Sequence, residues 1–277
     1  MPTIHLDKCT HCLKCVNDCP SNAIDIQLGQ IAQTCIHCGH CVAICPESTI
    51  TPDVGTIHPL GQMGVSGEDF RSLSAKVRSC RKYHSKEVPE EILLSLVENM
   101  KHYPSASNAR PVQITIVRTP EMVQKLNDQT ANALIGTLKM VTHPVVTPFV
   151  KLFDPSISLD GLGKYKNQFI ERQKHNSSQV CHHAPVVMLF HAPSSKLGMG
   201  SADAYIWATY TSLYAHTLGL GSCFIGFIVK AMERSRSMRE EFGIPDNHSV
   251  YAALTLGFPK VKYVNETSRE KPMAKMV

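Results

Sequence analysis

The sequence predicts an α+β protein of two unequal domains, and three observations carry that reading. A cysteine-rich repeat fills the amino-terminal stretch, a proline- and glycine-rich stretch follows it, and from Glu68 onward apolar helical periodicity alternates with short β-branched runs. Of the 277 residues, the repeat takes roughly 50, which leaves one domain of ordinary size. The expected boundaries are residues 1–51 for the small domain, 52–69 for the connection and 70–277 for the large one.

The repeat reads Cys9-Thr-His-Cys12-Leu-Lys-Cys15-Val-Asn-Asp-Cys19-Pro20 and again Cys35-Ile-His-Cys38-Gly-His-Cys41-Val-Ala-Ile-Cys45-Pro46, at an offset of 26 residues. Three thiolates at intervals of three fold around one small cubane. The fourth, beyond a longer spacer and followed by proline, is turned toward a neighbouring cluster. The ligand sets are therefore expected to cross: Cys9, Cys12, Cys15 and Cys45 for one [4Fe–4S] cluster, and Cys35, Cys38, Cys41 and Cys19 for the other. A pair of all-cysteine zinc sites is the alternative, but zinc modules set two C-x-x-C knuckles apart. His11, His37 and His40 lie between complete ligand sets and are expected to face solvent. The stretch resembles the bacterial two-cluster ferredoxins, which implies a pseudo-symmetric fold of ligand loop, short helical turn and strand, twice over.

Composition narrows the class further. With 43% hydrophobic residues the large domain can bury a core without disulfides, whereas the small one has few large apolar residues and depends on its clusters. Eight of the eleven cysteines are ligands, and free thiols with thiolate ligands favour a reducing compartment. No segment reaches a membrane-spanning length of roughly 18 apolar residues, and the start of the chain is neither basic nor apolar. A cytoplasmic protein is the expectation. A net charge of +5, dispersed along the chain, gives no ground for binding nucleic acid or membrane.

The connection is marked by Pro52, Gly55, Pro59, Gly61, Gly64 and Gly67; no strand precedes these glycines and no G-K-[ST] follows, so they are not a phosphate loop. Pro89 opens a helix to about His102, with Ile92, Leu93, Leu96, Val97 and Met100 on one face. Val112–Arg118 reads as a strand, and Thr119-Pro120 as an N-cap and first-turn pair for a helix through about Ala133. Residues 140–180 lack sustained periodicity and read equally as a mobile element over a site or an irregular surface excursion. Pro185–His191 is a buried strand, and Ser201 is expected to cap a helix from Ala202 to Leu218 that is apolar around much of its circumference. Cys223–Val229 and Ser249–Gly257 are two more strands, separated by a charged helix over 231–242, which gives a sheet of four or five strands.

Three stretches of this domain carry chemistry together. Arg78-Ser79-Cys80-Arg81-Lys82-Tyr83 can grip a phosphate through guanidinium and hydroxyl groups. Pro104-Ser105-Ala106-Ser107-Asn108-Ala109-Arg110-Pro111 leaves backbone approachable between two prolines, and Gly219-Leu-Gly221-Ser222-Cys223-Phe-Ile225-Gly226 runs from a helix end into a strand. In this order they resemble the nitroreductase family of FMN flavoproteins. That resemblance implies an α+β sandwich with a central, mostly antiparallel sheet, an intertwined homodimer, and FMN at the dimer interface. By matching positions, Arg78, Ser79 and Arg81 hold the ribityl phosphate; Ser105, Ser107 and Asn108 reach the flavin from the other subunit; and backbone groups of Gly221, Ser222, Ile225 and Gly226 face its pyrimidine edge. Val77 stands where many relatives have a basic residue, so Arg269 or Lys271 is expected to supply phosphate charge. Cys80 and Cys223 read as packing residues, and Cys181-His182-His183 lacks a second ligand pair at metal spacing.

The expected function is an FMN-dependent oxidoreductase in which electrons pass through two [4Fe–4S] clusters to FMN and on to a nitro compound, quinone or similar electron-poor acceptor. No catalytic side chain is assigned, because the reactive atom belongs to the cofactor. The donor is either reduced ferredoxin or NAD(P)H. Two other readings stay open: an electron carrier whose carboxy-terminal domain docks partners, and a redox sensor.

Overall fold

The computed structural model describes residues 1–153, 159–175, 178–195, 197–267 and 269–277. The chain divides into two units, Met1–Ser66 with Pro104–Arg110, and Gly67–Tyr103 with Pro111–Val277.

In the first unit the cysteine spacing dictates very short elements. Strand β1 (Thr3–Ile4), helix α1 (Lys14–Asn17), strands β2 (Ile24–Asp25) and β3 (Gln30–Ile31), helix α2 (His40–Ile44) and strand β4 (Ile50–Thr51) follow in order. β1 pairs antiparallel with β4, and β2 with β3. The repeat is visible in the backbone: Leu13 and Gly39, equivalent residues ahead of α1 and α2, are both left-handed, with φ of 59° and 76°. Glycine takes that conformation freely, whereas Leu13 carries a Cβ that disfavours it. The core is small and consists of Ile4, Ile26 and Ile50 around Cys15 and Cys41.

The second unit is a four-stranded antiparallel sheet between two helical layers. Helix α3 (Gly67–Lys76) begins inside the stretch expected as connection, because Glu68 and Asp69 suit a helix amino terminus and Glu68 pairs with Arg71. Helix α4 (Glu90–Asn99) ends in a tighter turn over Met100–His102. Strand β5 (Gln113–Val117) leads into α5 (Pro120–Val141), where the Thr119 hydroxyl accepts from the Met122 amide as the N-cap. α5 outruns its expected end at Ala133: Leu134 and Ile135 pack on the core and Leu138 is buried, which outweighs a helical penalty at Gly136 of about 1 kcal/mol. The 140–180 stretch is largely helical, with α6 (Thr147–Phe153) and α7 (Leu159–His175); residues 154–158 and 176–177 lie outside the described residues.

Strand β6 (Val186–Pro193) is followed by α8 (Gly200–Thr217), β7 (Gly221–Phe224), α9 (Gly226–Arg234), α10 (Arg236–Glu241) and β8 (His248–Gly257). α8 starts before the expected cap at Ser201, on Gly200, where a Cβ would come within 3.0 Å of Ala192 Cβ. β7 stops at Phe224 rather than running to Val229, and α9 starts in what was expected to be strand. The sheet order is β5-β6-β8-β7 with every pair antiparallel. Alternation along β6 serves both layers: Val187 and Leu189 face α5, α9 and Phe169 of α7, while Val186, Met188 and Phe190 face α4 and α8. Among the described residues no helix is long and apolar enough to cross a membrane.

Candidate functional site

The first unit brings its eight repeat cysteines together as two sets. One cavity is lined by Cys9, Cys12, Cys15 and Cys45 with Ile26 and Ile50; a second is lined by Cys19, Cys35, Cys38 and Cys41 with Ala23 and Ile31. Each set takes its fourth cysteine from the other half of the repeat. The donor set is purely thiol and the walls are apolar, which fits iron–sulfur cubanes. Backbone amides face the sulfurs: Ala23 donates to Cys19 Sγ at 3.3 Å, Thr49 to Cys45 Sγ at 3.4 Å, and His11 and His37 to Cys9 and Cys35 at 3.4 Å. Burial opposes ionisation at Cys19 and Cys45, yet amides around both, with the Ser21 and Thr49 hydroxyls, hold these thiols below their ordinary range. At Cys15 and Cys41 burial prevails and pushes the thiols up. His11, His37 and His40 are exposed; His37 pairs with Asp53 at 2.6 Å and His40 with Asp18 at 3.1 Å.

In the second unit the first and third chemical stretches are adjacent. Ser79 forms a parallel bridge to Ser222, and the Cys80 amide donates to the Ser222 carbonyl at 2.8 Å. The approach is so close that a Cβ on Gly221 would lie 2.8 Å from both Cβ and Sγ of Cys80. Tyr83 locks the segment in place: its buried hydroxyl donates to the Cys80 carbonyl at 2.8 Å and lies 2.9 Å from the Thr255 hydroxyl, whose hydrogen serves either Tyr83 or Cys223 O. Gly219, left-handed at φ 81°, ends α8 and turns the chain into β7.

Residues that look like one group in the sequence then line separate clefts. Arg81 lines a cleft of about 450 Å³ with Cys223, Phe224, Ile225, Gly226, His182 and Tyr205. Arg78 faces elsewhere. It lines a cleft of about 470 Å³ with Lys76, Cys80, His216, Gly221, Lys260 and Lys262, and its guanidinium donates to the Ala75 and Val77 carbonyls and to Thr267 Oγ1. Arg269 shares a further cleft of about 430 Å³ with Arg78, Glu266 and Thr267. Two of the expected backbone contacts are already engaged: the Ile225 amide donates to Ala253 O at 2.9 Å, and the Ser222 carbonyl accepts from the Cys80 amide at 2.8 Å. Gly226 opens α9, whose first amides have no intrahelical acceptor.

His182, Tyr205, Phe224 and Lys230 also line the Arg81 cleft, and the sequence reading assigned none of them to a site. Tyr205 and Phe224 stack at 6.4 Å although 50% and 40% exposed, a large apolar surface left open beside the cleft. The signal was present in α8, whose apolar residues go all round. The imidazole of His182 is held below its ordinary pKa by burial and by Arg81. Cys223 is pushed up by burial, and the buried Cys181 thiol is pushed up to about 12.

The second stretch, 104–110, belongs to the first unit. Ser105 Oγ accepts from the Arg110 amide at 2.9 Å; Ser107, Asn108 and Arg110 are left-handed; and Asn108 Nδ2 donates to the carbonyls of Ile36 and His37.

Comparison with known proteins matches this geometry to a family. The nitroreductase family profile covers residues 75–258, two thirds of the chain. The chain belongs to the nitroreductase family. Ahead of that region it carries a 4Fe–4S dicluster domain over residues 1–46. An NADH dehydrogenase of Thermus thermophilus is 28% identical over 193 residues, covering 69% of this chain and 87% of the relative. Among solved structures, a nitroreductase with bound FMN from Bacteroides fragilis shares the fold at a TM-score of 0.57 and 19% identity, covering 76% of this chain and all of that one. A second, from Desulfitobacterium hafniense, aligns at a TM-score of 0.57 and 17% identity over 74% of this chain and 97% of its own.

Proposed function

We propose that this member of the family is an iron–sulfur flavoprotein oxidoreductase, taking electrons in at two [4Fe–4S] clusters and delivering them by way of FMN to a nitro compound, quinone or similar electron-poor acceptor. The observation that carries the reading is the Ser79–Ser222 bridge, which sets Arg81 beside Cys223–Gly226 in one cleft. FMN, when bound, supplies transfer of a hydride or of two electrons and a proton. Ser79 and Arg81 are assigned to its phosphate through hydroxyl and guanidinium donors, and the free first amides of α9 at Gly226 to the ring edge. Ser105 and Ser107 are assigned to the flavin by resemblance alone. Phe224 and Tyr205 offer an apolar wall against which a planar acceptor can lie, and the exposed Tyr205, Ile206 and Tyr210 of α8 support a homodimer.

Attached clusters favour a one-electron donor such as reduced ferredoxin over direct hydride from NAD(P)H. Stopped-flow spectroscopy tests this. A variant with Cys12 and Cys38 changed to alanine is expected to leave the flavin oxidised when mixed with the one-electron donor; rapid flavin bleaching by NADH in that variant contradicts entry through the clusters.

A further inference from the structure

The two ligand loops of the repeat are built alike and braced differently. His11 and His37 are both left-handed, with φ of 53° and 54°, and each amide donates to the sulfur two residues back at 3.4 Å. Among the described residues only the second loop is held from outside the repeat: Asp53 pairs with the His37 imidazole at 2.6 Å, and on the backbone Asn108 Nδ2 donates to Ile36 O at 3.2 Å and to His37 O at 2.8 Å. Among the described residues the carbonyls of Thr10 and His11 receive no such bond. Asn108 is placed with care. Ser107, Asn108 and Arg110 have φ of 50°, 53° and 48°, a left-handed run that the surrounding contacts must hold in place.

The chemistry follows from which peptide the amide touches. The Ile36 carbonyl and the His37 amide are two ends of one peptide unit. A donor on that carbonyl polarises the unit and makes the His37 N–H a stronger donor to Cys35 Sγ. Hydrogen bonds to sulfur favour the more negative, reduced form of a cluster and so raise its potential. The second bond, to His37 O, fixes the next peptide, which leads into Cys38.

We propose that Asn108 is a positioning residue for the cluster held by Cys35, Cys38, Cys41 and Cys19, raising its potential above that of its twin so that a single electron rests there. This rests on the iron–sulfur reading of the two cysteine sets. The test is a redox titration of the full chain, followed by electron paramagnetic resonance, in wild type, Asn108→Ala and Asn108→Gln. A variant with the first set disabled by Cys12→Ala assigns the signals. In wild type two unequal potentials are expected. Asn108→Ala should lower that of the Cys35 cluster alone, changing the electron's distribution between the clusters about tenfold, or about 59 mV for one electron. Asn108→Gln, which keeps the donor, should recover part of the shift. Loss of iron from the Cys35 set alone in Asn108→Ala also supports the proposal. Unchanged potentials, an equal shift of both, loss of both clusters together, or no recovery with glutamine overturns it. A wild-type protein without two clusters overturns the iron–sulfur reading itself, and the proposal with it.

Discussion

The two units reach stability by opposite routes. The first has a handful of isoleucines and strands of two residues each, and two of its cysteines, Cys15 and Cys41, form part of its core; the proposed function makes its eight repeat cysteines ligands. The second buries two strands almost completely between helical layers and builds its cleft on that frame. Under the proposed function the clusters complete the fold of the first unit, while FMN is added to a finished fold in the second. Their responses to damage should therefore differ in kind.

Removing iron breaks the comparison most severely. Metal–thiolate bonds in small domains contribute on the order of 10 kcal/mol, so chelation under reducing conditions should unfold the first unit while the calorimetric transition of the second persists. A single transition lost as a whole contradicts this. Next comes the apolar core: Leu96→Ala, a fully buried side chain between α4 and the sheet, should cost about 2–5 kcal/mol in urea unfolding with the visible absorption of the clusters unchanged.

A more local change separates frame from cleft. Gly221→Ala forces a Cβ to within 2.8 Å of Cys80 and should push the Arg78–Arg81 segment from β7. Overpacking of about 1–3 kcal/mol translates to a roughly 5- to 150-fold weaker FMN affinity by fluorescence titration, with the fold kept and Cys80→Gly restoring part of the loss. The smallest effect is in acid. His191 and His248 are buried with their Nδ1 atoms 2.9 Å apart, which requires one to accept and hence to be neutral. Burial, then His248, lowers His191 from 6.5 to about 4. The unfolded chain binds the proton first, so stability from this pair is full above about 6.5 and is lost as pH falls through about 4. Melting temperatures across that range should fall in wild type and be flatter in His191→Phe.

Much of this was legible in the sequence, for reasons that are local. Cysteine spacing determines which thiols can share a cavity, and a short continuous apolar run marked β6. What escaped depends on partners far along the chain. β7 ends where the Ile225 amide makes its last bond to β8, at Ala253, and α9 starts at Gly226; no window around Phe224 contains that partner. Arg78 and Arg81 look like one cationic group, yet the single bridge from Ser79 to Ser222 lies between them and they line separate clefts. α5 continued past Gly136 because packing outweighed propensity. Asn108 meets Ile36 and His37, partners some seventy residues away.

The central claim is that one chain joins two cubanes to a flavin, and cofactor content of protein purified without oxygen tests it most directly. About eight iron, eight acid-labile sulfides and one FMN per chain is the predicted result. Zinc in place of iron, or a protein that neither retains nor binds FMN, contradicts it.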